Sequence, residues 1–181
     1  MDALSDDHQA VNDLLKQVLT ALHNKNVEAS YSKLDLLWAR LAVHIRAEHL
    51  HLFPAVINRL TSSTDPSLTP DLIEAHSIVN KLRADHEFFM RAFARAVNIL
   101  RELPRPLDSA DSETRFTSVH DEVLKVEKRL ANHNEVEENQ IYRWASTILT
   151  EPEQIHLAKR INAELENRPS RFSLEAWSNN L

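Results

Sequence analysis

Four segments of this chain repeat apolar residues at alternating intervals of three and four over five turns or more, the period of amphipathic α-helices packed seam to seam. The first runs from Ser5-Asp6-Asp7, whose side chains suit an N-cap, to about His23; its stripe holds Leu4, Val11, Leu15, Val18 and Leu22, with His8 among them. The second runs from about Ala29 to Leu60 through Tyr31, Leu34, Trp38, Leu41, Ile45, Leu52 and Ala55. Pro54 lacks an N–H and crowds the turn before it, which predicts a kink or an end to regular hydrogen bonding one turn below. The third is expected to open with Thr69 as N-cap and Pro70 at the first helical position, and to reach about Leu103 with Val79, Leu82, Phe89, Phe93, Val97 and Leu100 inward. The fourth starts near Ser112 and carries Phe116, Val119, Val123, Val126, Leu130, Ile141, Trp144 and Ile148.

Asn24-Lys25-Asn26, residues 61–70 and Pro104-Arg105-Pro106 break these segments. Short connections between long helices make neighbours antiparallel. The expected fold is therefore all-α, an up-down-up-down four-helix bundle over residues 1–150 whose two hairpins, roughly 1–60 and 70–149, follow one plan. Thr150-Glu-Pro-Glu153 is a capping-box pattern that opens a short fifth helix to about Asn167. Residues 151–181, including Pro169, Phe172 and Trp177 in the tail, are expected to pack on the bundle or on a protein partner that the sequence does not identify.

Composition narrows the function. A chain of 181 residues suits one domain, and without a single glycine it lacks the turn chemistry of an all-β fold. Its net charge of −6 offers no basic face to nucleic acid. No apolar run approaches membrane-spanning length. The opening MDALSDDHQA lacks the basic and apolar regions of a signal peptide, so a cytoplasmic location is expected. Having no cysteine, any metal site here must use imidazole and carboxylate, a donor set suited to iron, manganese or zinc. Ten histidines in an acidic chain are the compositional oddity.

Their placement is patterned. Each hairpin has one histidine early in its first helix and a His-x-x-x-Glu pair late in its second: His8 with His44 and Glu48, then His86 with His133 and Glu137. A spacing of four puts both side chains of a pair on one face, one turn apart. His133, Glu137 and His86 interrupt otherwise apolar seams, and a buried carboxylate is costly without a compensating partner such as a metal. At about 1.5 Å of rise per residue, all four sets lie about 15 to 21 residues from the neighbouring helix ends, hence at nearly one height. His76 would lie some 15 Å from that level, so His86 is the candidate on the third helix. His76 is expected on the inner face as a hydrogen-bonded core histidine or beside an access path. His49 and His51 are expected in surface or supporting roles, His49 being the first candidate for a substitute ligand. His23, His120 and His156 read as solvent or rim residues. In residues 135–138 only Glu137 is expected to point inward. Glu48-x-x-His51 also fits a ferritin-like pattern, but the matching fourth-helix position is Gln140, so the second copy is missing.

The stretch His44-x-x-x-Glu48-His49-x-x-Leu52-Phe53-Pro54 and its echo His133-x-x-x-Glu137-Glu138-x-x-Ile141-Tyr142 resemble the paired motifs of the hemerythrin-like (HHE cation-binding) family. His49 stands where that family has a second glutamate, and the resemblance covers roughly residues 4–149. It implies a pair of non-haem iron ions joined by an oxo or hydroxo bridge and by Glu48 and Glu137, with His8, His44, His86 and His133 as terminal ligands. Oxygen-carrying hemerythrins have a fifth histidine one turn from the third-helix histidine; Leu82 and Met90 occupy those positions here. The open coordination this leaves favours redox chemistry or sensing over reversible oxygen carriage. The implied function is binding of oxygen or a related small ligand (peroxide, nitric oxide) for sensing, storage or redox protection. The alternatives are a metal-responsive interaction or regulatory module, and a peroxide-decomposing di-iron enzyme.

Overall fold

The computed structural model describes residues 2–63, 65 and 70–169. Nearly all of them are helical. Helix α1 spans Asp2–His23 and α2 spans Val27–Ala47; a π-helical turn, Glu48–Leu52, joins α2 to α3, Phe53–Ser62. Helix α4 spans Leu72–Glu102 and α5 spans Ala110–Val136; a second π turn, Glu137–Tyr142, joins α5 to α6, Arg143–Ile148. Helix α7, Glu151–Glu166, follows. None of these helices is long and apolar enough to cross a membrane.

α1 packs on α2, α2 on α4, α4 on α5, and α5 back on α1, which closes a four-helix bundle. Lys33 pairs with Gln17 while Arg40, further along α2, pairs with Asp7 near the start of α1, so the two run antiparallel. α4 and α5 do the same through Arg115–Glu102 and Arg129–Asp85. Helix α7 lies against α2 and its π turn, burying Leu157, Ile161 and Leu165. Arg46 donates to Asn167 O at 2.7 Å and pairs with Glu164, tying the far end of α7 down.

Several helix starts differ from expectation. α1 begins at Asp2, ahead of Ser5-Asp6-Asp7. The helix extends because Leu4 is fully buried, and Asp7 faces His44 and Arg40 across the bundle instead of capping its own N–H groups. At α4 the N-cap is Asp71, which accepts from Glu74 N at 2.8 Å, so Pro70 precedes the helix; the expected cap, Thr69, lies outside the described residues. α5 is capped by Ser109, with Ser112 as the reciprocal partner three residues in. Thr150 and Glu153 form the capping box at the start of α7. Phe172 and Trp177 also lie outside the described residues. Between α1 and α2, Lys25 takes the left-handed conformation (φ 51°) that glycine would usually supply, and its ammonium pairs with Glu113.

Hydrogen bonding does depart from the α pattern one turn before Pro54. Proline is not the whole cause, because the second π turn forms with Arg143 in the corresponding position. Both π turns begin at a buried glutamate, Glu48 and Glu137. Single-turn π segments often sit at functional sites, where the extra residue re-aims the side chains around it.

The core is split into two apolar clusters. One holds Leu15, Leu37, Phe93, Leu100 and Val123; the other holds Leu52, Phe53, Val56, Ile141 and Ile161. Fully burying one such side chain contributes about 1.5–3 kcal/mol, so these clusters carry the bundle. A polar layer lies between them: Asp7 and His8 between Leu4 and Val11 on α1, Asp85 and His86 between Leu82 and Phe89 on α4, and His133 and Glu137 between Leu130 and Ile141.

Candidate metal centre

The six residues picked out by spacing converge in this layer, and each is buried. His8, His44, Glu48 and Glu137 form one group, and His86, His133 and Glu137 a second; within each group the ligand atoms all lie within 4.8 Å of one another. Glu137 belongs to both. His44 Nε2 is 3.3 Å from Glu48 Oε1, and His8 Nε2 is 3.3 Å from Glu137 Oε2. In the second group His133 Nε2 is 3.2 Å and His86 Nε2 3.6 Å from Glu137 Oε1, and the two Nε2 atoms face each other at 2.9 Å. His86 Nε2 also lies 3.3 Å from Glu48 Oε2, linking the groups a second time.

The remaining ring nitrogens are held from behind. Asp7 Oδ2 is 3.0 Å from His44 Nδ1, and Arg40 Nε donates to the other oxygen of Asp7 at 2.9 Å. Asp85 Oδ2 is 3.3 Å from His133 Nδ1, and Arg129 Nε donates to its other oxygen at 2.6 Å. Glu138 Oε1 is 2.9 Å from His8 Nδ1, and His49 Nε2 is 2.9 Å from His86 Nδ1. All four inward-facing Nε2 atoms are thus presented by rings whose Nδ1 is already engaged, an arrangement that fixes tautomer and orientation in metal-binding histidines.

Among these supporting residues, only His49 is expected in such a role from the sequence. By sequence Asp7 reads as part of a helix cap and Glu138 as part of a solvated face; the Glu138 side chain is 46 % exposed, yet one oxygen reaches His8. His49 belongs to neither ligand group and supports His86, the supporting role expected of it ahead of ligation. His76 is exposed, because Ala75, Val79 and Leu82 carry the inner face of α4 at that level. A signal was present: Asp-His occurs twice (Asp7-His8, Asp85-His86), and each His-x-x-x-Glu pair is preceded four residues earlier by an arginine (Arg40, Arg129).

The layer's electrostatics favour a positive charge at its centre. Burial pushes Glu48 up, and the charge of Glu137 adds to this. Burial also acts on Glu137, but His133 and His8 outweigh it and hold this carboxyl well below the usual range. Two carboxylates this close do not both ionise freely without a positive charge between them. Burial and the neighbouring histidines drive His86 down to about 2, despite Glu137, leaving a neutral ring with its lone pair available. Burial opposes charge on His44 too, yet Glu48 and Asp7 raise it to about 10. Tyr142 is raised well above the ordinary phenol value by burial and by the Glu48 and Glu137 charges, so it stays a neutral donor.

The donor set fits a metal. His44 Nε2, Glu48 Oε2 and both oxygens of Glu137 are buried without a hydrogen bond, a costly arrangement in an apolar core. Two ligands bound at about 2.1 Å to one ion lie about 3.0–3.4 Å apart for angles between square and tetrahedral, close to the spacings here.

An antiparallel helical bundle with paired His/Glu groups between two apolar layers defines a cation-binding helical domain. Residues 1–145 match the Hemerythrin HHE cation binding domain, and the chain belongs to that family. Neither the search of curated proteins nor that of solved structures finds a match.

Proposed function

We propose that this chain holds two non-haem iron ions and binds oxygen, peroxide or nitric oxide at them, for sensing, storage or redox protection. One group would be His8, His44, Glu48 and Glu137, the other His86, His133 and Glu137. The observation that carries this reading is that Glu137 serves both groups, with Glu48 as a second link, and that both oxygens of Glu137 and Oε2 of Glu48 are buried without hydrogen bonds. Bound there, such a metal pair supplies a reversible change of redox state and open positions for a small ligand.

The protein's own part is arrangement. Asp7 and Asp85 hold His44 and His133 with Nε2 inward, and Glu138 and His49 do so for His8 and His86. The apolar clusters on both sides exclude bulk water and strengthen every electrostatic contact in the layer. An imidazole and carboxylate donor set is one iron shares with manganese and zinc, and the family resemblance favours iron among them.

Metal analysis of the purified chain with a visible spectrum tests the reading. About two irons per chain are expected, with an absorption band that changes on adding azide or on reduction. A chain that contains no transition metal and takes none up overturns it.

A further inference from the structure

The two halves of the centre are built alike. Asp7, Arg40 and His44 in one half match Asp85, Arg129 and His133 in the other, and Glu48 matches Glu137 at the start of its own π turn. At the position five residues after each glutamate the halves differ. Phe53 stacks on His86 with ring centroids 6.0 Å apart and planes at 12°, and Tyr142 stacks on His8 at 5.6 Å and 18°. Phe53 shows that this place packs without a hydroxyl. The hydroxyl of Tyr142 is therefore not required by packing, and a buried hydroxyl is costly unless it bonds. It donates to Glu48 Oε1 at 3.1 Å and lies 3.2 Å from His8 Nε2. Both atoms belong to the His8/His44 group, so the hydroxyl adjoins that position and not the other.

The outer side of this residue is also distinctive. Tyr142 and Glu138 form part of the wall of a surface cavity of about 630 Å3, which Arg143, Ser146 and Leu157 of α7 complete. Tyr142 is 5 % exposed and separates the cavity from the His8/His44 group. A small molecule in the cavity has Arg143 and Glu138 at the wall and the Tyr142 phenol between it and the centre.

We propose that a small anion, or a diatomic ligand able to accept a hydrogen bond, reaches the centre through this cavity and is held at the His8/His44 half by the Tyr142 hydroxyl. The inference rests on the di-iron reading above and adds to it a route, a half and a binding residue. A single donated hydrogen bond of this kind is worth about tenfold in affinity, which is about 1.4 kcal/mol.

The test uses the iron-loaded full chain with azide as the probe. Iron per chain is measured first in the wild type, in Tyr142→Phe and in Ser146→Trp, the last a bulky group on the cavity wall at an exposed position. All three are expected to hold the same iron. Azide titration followed by visible absorption is expected to show Tyr142→Phe binding about tenfold more weakly. Stopped-flow mixing is expected to show Ser146→Trp binding several-fold more slowly at unchanged affinity. Full iron with wild-type azide affinity in Tyr142→Phe overturns the proposal and leaves the di-iron reading standing. So does a wild-type association rate in Ser146→Trp. Loss of iron in Tyr142→Phe also overturns it, by making the residue a holder of metal. A wild-type chain that takes up no iron overturns both readings.

Discussion

Asp7 Oδ2 lies 3.0 Å from His44 Nδ1, although the two residues belong to different helices and Asp7 sits where a helix cap would be sought. The contact decides which nitrogen of His44 faces the centre. Its counterpart is Asp85 on His133. Replacing either aspartate by asparagine keeps the shape but removes the charge behind the ring. Asp7→Asn and Asp85→Asn are each expected to weaken metal binding by roughly 10–100-fold, measured by competition with a chelator of known affinity. Unchanged affinity in both would reduce these contacts to packing.

In the proposed di-iron reading Glu137 would be a ligand shared by both groups and His86 a ligand of one. Glu137→Ala removes a donor from both groups, whereas His86→Ala leaves His8, His44, Glu48 and Glu137 intact. Metal content is expected to fall from about two per chain to about one in His86→Ala, and well below one in Glu137→Ala. Equal losses in the two variants would argue against the shared role.

Metal removal should be felt in stability, because a ligand that binds only the folded chain stabilises it. At a free metal concentration about 100 times the dissociation constant the gain is about 2.7 kcal/mol. For a chain of this size that is a shift in melting temperature of roughly 5–10 °C. A chelator is expected to lower the melting temperature by about this amount, and restoring metal should reverse it.

The metal-free chain should be most stable near pH 6.5. His44, raised to about 10 against the burial that opposes its charge, contributes stability that is full below its ordinary value of 6.5 and is lost as pH climbs toward 10. His86 has the opposite sign. Burial holds it at about 2, so below pH 6.5 the unfolded ring takes a proton that the folded one refuses, and stability falls with acid. Asp7, held below its ordinary 3.8 by His44 and Arg40 despite burial, adds to the loss as pH drops through that value. Melting temperatures of chelated protein from about pH 4 to about pH 9.5 should trace a maximum; a monotonic curve would contradict these shifts.

Much of this centre was legible without coordinates. His44 with Glu48, and His133 with Glu137, follow from a spacing of four on a helix, and the choice of His86 over His76 follows from counting rise along each segment. Both are one-dimensional quantities that helix geometry converts directly into position. The π turns were not legible beyond the irregularity expected before Pro54. The second forms without proline, so no breaker residue in the sequence marks it.

The chain's periodicity by itself determined four long helices, their antiparallel order and the height at which His8, His44, His86 and His133 stand. Those features depend on hydrogen bonding and side-chain spacing within one helix at a time. Tertiary structure alone decided how each helix is rotated against its neighbours, and rotation selects partners. It turned Asp7 from a cap into the support of His44, set Glu138 against His8 and His49 against His86, and brought the Tyr142 hydroxyl to Glu48. The physical reason is that a side chain's face is a local property, whereas what stands opposite it is fixed only when all four seams pack together.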